Sequence, residues 1–333
     1  MKIKYLILNQ DLREENSLRE LESNSIQLIL TSPPYFNVRD YEKHANSRSK
    51  NSLLQDAKIY NNLNTQEKTI VEYELYLREM KEIFFRLKRL LKNTGYIIVI
   101  ISDITSNHIH FPLSFHFFNL LTEIYIWEET IIWDKTLEFN DYKRRVQKYL
   151  YQPFSFYYKP NWSHEYILIF RKSRQLAESD YIKDSNFNKN EFLYNYSRSI
   201  WHITPIPPDL QDIHPVRFPF EIPHHLIKYF SNKGDVIFDC FAGYGTTLIE
   251  ALRLETIAVG NDKEKKYCDL MEQNIRKYQK DPNYFYDQVK LYRMKMIIKS
   301  LKERNFSKPK IIEFLTKRNY SQHLIYNAIN RFH

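Results

Sequence analysis

Glycine is scarce in this chain: there are five in 333 residues, and Gly234, Gly243, Gly245 and Gly260 fall within one 27-residue stretch. Cysteine is rarer still. Cys240 and Cys268 cannot build a disulfide framework, and no Cys or His spacing matches a zinc site. The apolar run at the N-terminus is too short for a secretory signal, and no stretch approaches the roughly 20 apolar residues of a membrane span. The composition therefore points to a soluble, reduced, cytoplasmic protein with no metal and no membrane partner.

Aromatic residues are plentiful, at 26 Tyr, 22 Phe and 4 Trp. They fill a core and, in clusters, offer plates for flat ligands such as bases. The net charge of +9 has a location: residues 288–333 hold eleven Lys or Arg against Glu303 and Glu313, while the rest of the chain balances at 38 of each sign. A charge excess confined to one end is the electrostatic footprint of a protein that binds a polyanion.

Apolar, β-branched runs at 5–8, 26–30, 96–101, 124–133, 166–170, 236–238 and 256–259 alternate with amphipathic stretches. One such stretch, 72–91, places Leu75, Ile83, Leu87 and Leu90 at helical spacing. Strands separated by helices predict an α/β fold with a mostly parallel, doubly wound sheet. Polar stretches at 37–66 and 173–199 read as loops or insertions. Residues 136–160 interleave Lys143, Arg144, Arg145 and Lys148 with aromatics, which suits contact with nucleic acid.

The basic end reads as an all-α appendage, 285–333, on a main domain, 1–284. Its first helix is expected at 289–304. Ser307 is the N-cap of a second, with Ile311, Ile312, Phe314 and Leu315 on one side. Ser321 is the N-cap of a third, with Leu324, Ile325, Ala328, Ile329 and Phe332. Such a trio resembles a helix-turn-helix unit, and places Lys317, Arg318 and Gln322 as DNA contacts.

Two segments carry chemistry. In the first, a strand ends at Asp239, a tight turn passes through Phe241, Gly243 and Gly245, and a helix starts near Thr246. Glycines let a backbone approach a ligand, and a helix N-terminus presents free N–H groups. The next strand ends at Asp262, an acid able to accept hydrogen bonds from ribose hydroxyls. In the second, Ser32-Pro33-Pro34-Tyr35 directly follows an apolar strand. Consecutive prolines fix φ and hold the preceding residues extended. Backbone acceptors then point in one direction beside a flat ring, an arrangement that fits a planar, amine-bearing base.

With these segments in view, the sequence resembles the amino-group DNA methyltransferases of permuted motif order, the beta group. Ser32-Pro33-Pro34-Tyr35 is similar to their catalytic motif, and 239–247 to their cofactor loop, in the same order. The segment from His214 through Phe218 resembles the one that precedes that loop, and Asn9-Gln-Asp11 the strand end that reaches adenine. Ile131–Lys135 and His164–Lys172 resemble later structural motifs. The likeness spans about 3–280. It implies a Rossmann-like, class I methyltransferase fold and S-adenosylmethionine as cofactor. It also implies a cofactor set of Asp11, Thr31, His214, Phe218, Asp239, Phe241, Gly243, Gly245, Thr246 and Asp262. Cys240 and Tyr244 depart from the family's usual Pro and small residue. No Pro-Cys dipeptide is present, so cytosine C5 chemistry is not implied.

The mechanism that follows from this resemblance takes a base out of double-stranded DNA, at a cost of a few kcal/mol, and returns roughly 1–3 kcal/mol by stacking, here on Tyr35. The Ser32 side chain and the Pro33 carbonyl draw the amine toward tetrahedral geometry, and positioning contributes up to roughly 7–11 kcal/mol. In the family, Ser at the first motif position goes with N4 of cytosine, and Asp or Asn with N6 of adenine. A serine hydroxyl can serve either amine. RNA as substrate and a non-catalytic DNA-binding scaffold are the other readings. Target recognition is expected within 136–212, and family habit suggests a cognate restriction endonuclease.

Overall fold

A computed structural model describes residues 5–36, 62–135, 163–174, 193, 196–206, 218–317, 320 and 325–326. These divide into a large unit that ends at Glu272 and a small one that begins at Gln273.

The large unit is built on one eight-stranded sheet. Its strands are β1 (Tyr5–Leu8), β2 (Ile26–Thr31), β3 (Leu91–Ile101), β6 (Ile126–Asp134), β7 (His164–Arg171), β8 (Ile200–His202), β9 (Val236–Asp239) and β10 (Ile257–Asn261). They lie in the order β1-β10-β9-β2-β3-β7-β6-β8. A short hairpin of β4 (Ile104–Ser106) and β5 (Ile109–Phe111) lies outside the sheet. Strands β1, β10, β9, β2 and β3 run in parallel, β7 alone runs against them, and β6 and β8 return to the first direction. The expected mostly parallel α/β sheet is present. Every residue of β2 is buried, as a strand covered on both faces requires.

Helix α1 (Thr65–Leu87) starts earlier than the apolar pattern suggested, inside the polar stretch 37–66. Its start is fixed by a capping box. The Asn64 side chain accepts from Gln66 N at 2.9 Å and Glu67 N at 3.0 Å, and Glu67 Oε2 accepts from Asn64 N at 2.8 Å. The buried stripe is Tyr73, Tyr76, Met80, Ile83, Phe84 and Leu87. Leu75 is only partly buried, and Leu90 is buried in the turn beyond the helix. Among the elements that the sequence pattern did not name are the β4–β5 hairpin, the strand β8 and α2 (Leu113–Thr122). Helix α2 has no apolar–polar alternation to betray it; Asp103 caps it, accepting from Ser114 N at 3.0 Å.

Helices α3 (Glu221–Phe230), α4 (Thr246–Arg253) and α5 (Lys265–Lys280) complete the large unit's described elements, with α5 running past Gln273. Helix α4 stops without glycine. Glu255 takes φ 61°, and Thr256 N and Glu255 N donate to Ala251 O and Leu252 O at 3.0 and 3.2 Å, the paired bonds of a Schellman turn.

In the small unit, α6 (Tyr284–Glu303) and α7 (Lys308–Lys317) pack Met294, Ile298, Leu301, Ile311, Leu315 and Ile325 into a core of their own. Helix α6 ends in the same device, with Asn305 at φ 60° and Phe306 N donating to Leu301 O at 3.0 Å. Ser307 precedes α7 as expected; of the third helix, only Ile325 and Tyr326 are described, both helical.

Candidate active site

Parallel neighbours send their following loops to one edge of a sheet, where ligands of open α/β folds sit. At that edge stand Asn9–Asp11 after β1, Asp262 after β10, Cys240–Gly245 after β9 and Ser32–Tyr35 after β2. Chain order separates these segments, and strand order makes them adjacent.

The glycine loop is held from both sides. Ala242 N donates to Asn261 O at 2.9 Å, and Gly243 N donates to Asp262 Oδ2 at 3.2 Å. Gly245 is the N-cap of α4 in the left-handed region, φ 85°, and supplies no side-chain cap. A Cβ there would stand 3.0 Å from Met271 Cγ. Asn261, wholly buried, donates to Gln10 O at 3.1 Å and Cys240 O at 3.2 Å, which knots the ends of β1, β9 and β10.

Asp239 sits beneath the loop. Its carboxylate accepts from Thr31 Oγ1 at 2.7 Å, Thr247 Oγ1 at 2.6 Å and Phe241 N at 3.2 Å. Burial pushes its carboxyl up to about 6 although these three bonds pull the other way. Thr31 is buried with its hydroxyl committed to Asp239, so it braces the loop. Asp11, half-buried, is gripped by the Arg13 guanidinium. Burial alone would raise the Asp11 carboxyl, but hydrogen bonds and charge from Arg13 outweigh it and hold it at about 2. Phe218 is partly buried ahead of α3. His214 lies outside the described residues, as do Lys143, Arg144, Arg145, Lys148, Arg318 and Gln322.

Two features fit an adenosine-containing, zwitterionic cofactor. The first turn of α4 has no side-chain cap, and the buried Thr246 Oγ1 has no hydrogen-bond partner among the described residues. Such an orphan is costly unless something fills it.

The proline motif is anchored from below by residues that the sequence pattern did not single out. Phe36 is buried against Tyr73, edge-on with centroids 5.4 Å apart, and against Tyr76 at 5.9 Å. The Tyr76 hydroxyl donates to Pro34 O at 3.1 Å. That carbonyl is therefore committed to the scaffold. Tyr76 and Asn261 carried only one readable signal, a polar group inside an apolar pattern, and neither lies in a motif. Cys240 is buried, and burial pushes its thiol well up, which suits an inert packing residue. Among the described residues no group of His, Cys, Asp or Glu could hold a metal ion, and no helix is long and apolar enough to cross a membrane.

A glycine loop on one strand and a rigid proline motif on the neighbouring one define a class of α/β transferases that bring a nucleoside-type cofactor to a flat substrate. The chain belongs to the N6/N4 DNA methylases, whose family model matches residues 26–273. It is an amino DNA methyltransferase, and S-adenosylmethionine is its methyl donor. The type II methyltransferase M.MthZI of Methanothermobacter thermautotrophicus is 25% identical over 86% of this chain and 81% of its own length. M.BglI of Bacillus subtilis reaches 34%, but over 36% of this chain and only 33% of that enzyme. Among solved structures, TTHA0409 of Thermus thermophilus, assigned to the DNA modification methylases, has a TM-score of 0.58 at 26% identity, with 84% of this chain and 96% of that one covered. The cytosine-N4-specific PvuII DNA methyltransferase shares the fold at TM-score 0.53 and 18% identity, covering 81% of this chain and 85% of that one.

Proposed function

We propose that the chain methylates the exocyclic N4 amine of a cytosine turned out of duplex DNA. The observation that carries this reading is Ser32-Pro33-Pro34-Tyr35 at the end of β2, one strand from the glycine loop of β9. Ser32 Oγ and the Pro33 carbonyl accept the two amine hydrogens, and Tyr35 supplies a stacking face. When bound, the cofactor offers an electrophilic methyl: the N–C bond forms as the S–C bond breaks, and the amine then releases a proton. TTHA0409 has been solved with S-adenosyl-L-methionine, which supports placing this cofactor over the β9 and β10 loops. Gly243 N, the start of α4 and Thr246 Oγ1 would meet its amino-acid end, and Asp262 its ribose. Asp11, Phe218, Phe241 and His214 complete the proposed set. Serine at the first motif position favours cytosine.

The test is incubation with tritiated S-adenosylmethionine and unmethylated genomic DNA, then nucleoside mass spectrometry. N4-methylcytosine is expected. N6-methyladenine would overturn the base assignment and keep the mechanism, and no methylated base would favour RNA as substrate or a non-catalytic role. A restriction endonuclease of matching specificity is the partner this reading implies.

The small unit is proposed to grip DNA phosphates. Lys299 and Lys302 on α6 and Lys308, Lys310 and Lys317 on α7 are all exposed. Lys143, Arg144, Arg145, Lys148, Arg318 and Gln322 are proposed as further DNA contacts. Reversing Lys299, Lys308 and Lys310 to Glu is expected to lower the slope of log K against log salt by about 0.9 for each phosphate no longer neutralised. An unchanged slope would refute it.

A further inference from the structure

One buried carboxylate near the proposed base site has no part in the reaction so far described. Glu165, the second residue of β7, is 7% exposed. Carboxylates are seldom buried without a partner, and this one is held by Lys135, whose Nζ meets Oε1. Lys135 lies 4.8 Å over the Trp133 ring, and Trp133 Nε1 donates to Ile203 O at 2.7 Å. The carboxylate is thus fixed from behind by an ordered chain of contacts, with only one of its two oxygens claimed by the ion pair.

Strand register brings it to the catalytic motif. Thr31 pairs with Val99 and Val99 with Leu168, in strands of opposite sense. The β2–β3 pairing ends at Thr31 and the β3–β7 pairing at Ile101 and Tyr166, so Pro34 and Tyr35, just past the end of β2, leave the sheet at the edge where β7 begins with His164 and Glu165. The gap is two strand spacings, about 10 Å, which a tyrosine and a glutamate side chain can close between them. In that gap the Tyr35 hydroxyl is buried and makes no full hydrogen bond among the described residues, and the Ser32 and Glu165 side chains are the groups within bonding reach of it. After burial itself, the Glu165 charge is the main influence raising the Tyr35 phenol well above its ordinary value.

We infer that Glu165 is a positioning residue for the target base: its second oxygen accepts the Tyr35 O–H as the base packs, and so fixes the ring on which the base stacks. A phenol ring anchored only at Cβ can rock about two torsions. Anchored also at its hydroxyl, it presents one face. This inference rests on the reading of Ser32–Tyr35 as the base site.

The test is a double-mutant cycle in the full chain with Tyr35→Phe, Glu165→Gln and the pair. The readouts are the single-turnover methylation rate on unmethylated genomic DNA and the affinity for S-adenosylmethionine by calorimetry. Each single change is expected to slow methylation by about tenfold to a hundredfold, the range for a hydrogen bond to a charged group. The pair should be no slower than the worse single variant, with cofactor affinity unchanged in all three. Multiplying losses would show two independent roles and overturn the inference, as would a Glu165→Gln variant of full rate. Loss of cofactor affinity in Glu165→Gln would make Glu165 a prop of the sheet and overturn it too. A wild-type chain that methylates no DNA fails the site reading itself, and the inference with it; multiplying losses in an active enzyme fail the inference alone.

Discussion

Tyr76→Phe removes one oxygen and leaves everything else in place. The Tyr76 ring is wholly buried among Phe36 at 5.9 Å, Phe117 at 6.2 Å and Tyr73 at 6.3 Å, and phenylalanine keeps all of these contacts. What disappears is the 3.1 Å bond to Pro34 O. A buried acceptor left unmade costs about 1–3 kcal/mol. Pro33 has no N–H to offer and both prolines have fixed φ, so the motif has few other ways to settle. If the loosened motif still forms in the folded protein, the penalty reappears when the base must be aligned, as a fall in single-turnover rate of about 5- to 150-fold. Cofactor affinity should not move, because the Tyr76 hydroxyl donates to Pro34 O in the proline motif. Single-turnover methylation and calorimetry with S-adenosylmethionine separate the two effects. A variant of wild-type rate, or one whose whole loss lies in cofactor affinity, would refute the anchoring role.

Thr246→Val deletes a buried hydroxyl that lacks a partner among the described residues, so the melting temperature should hold or rise while cofactor affinity falls about tenfold, as expected for the removal of one hydrogen bond; unchanged affinity would remove Thr246 from the cofactor set. Gly245→Ala forces a side chain into the left-handed region at φ 85° and against Met271, which should cost about 1–2 kcal/mol from the backbone alone and appear as weaker cofactor binding with a lower melting temperature. Because burial lifts the Asp239 carboxyl from 3.8 to about 6, its contribution to stability is whole below pH 3.8 and is lost as pH rises to about 6. Asp239→Asn should flatten the melting temperature between those limits relative to wild type, and an unaltered pH profile would contradict the burial argument.

The parts of the fold that sequence makes legible are those whose physics is local. Strand β2 reads as an apolar run broken only by Gln27 before its end at Thr31, because both its faces are covered, and Ser307 marks α7 because a helix start needs an acceptor there. The ends of β9 and β10 are legible through glycine and acid. What stays hidden depends on the partner. Nothing within 113–122 distinguishes α2 from a buried strand, since its apolar residues lack periodicity; its cap, Asp103, lies ten residues upstream and across a hairpin. Glu255 and Asn305 end helices where glycine would be the expected signal. Tyr76 and Phe36 look like ordinary aromatics until α1 is laid under the motif, and Glu165 gains its neighbour only through the register of two strand pairs.

The order of strands explains why the two chemical halves of the site can act together. In chain order the proline motif and the glycine loop are about two hundred residues apart, yet β2 and β9 are neighbours, Leu28 beside Ile237 and Ile29 beside Phe238. The coupling is concrete at one point. Thr31, the residue before Ser32, gives its hydroxyl to Asp239 at 2.7 Å, and Asp239 in turn holds Phe241 N and Thr247 Oγ1 at the two ends of the glycine loop. A carboxylate accepts several bonds at once, so one buried group sets the loop, the start of α4 and the strand end that carries Ser32. Methyl transfer needs donor and acceptor aligned to a fraction of an ångström. On the proposed site reading, adjacent ends of one sheet, tied through a single acid, would meet that need with rigid backbone.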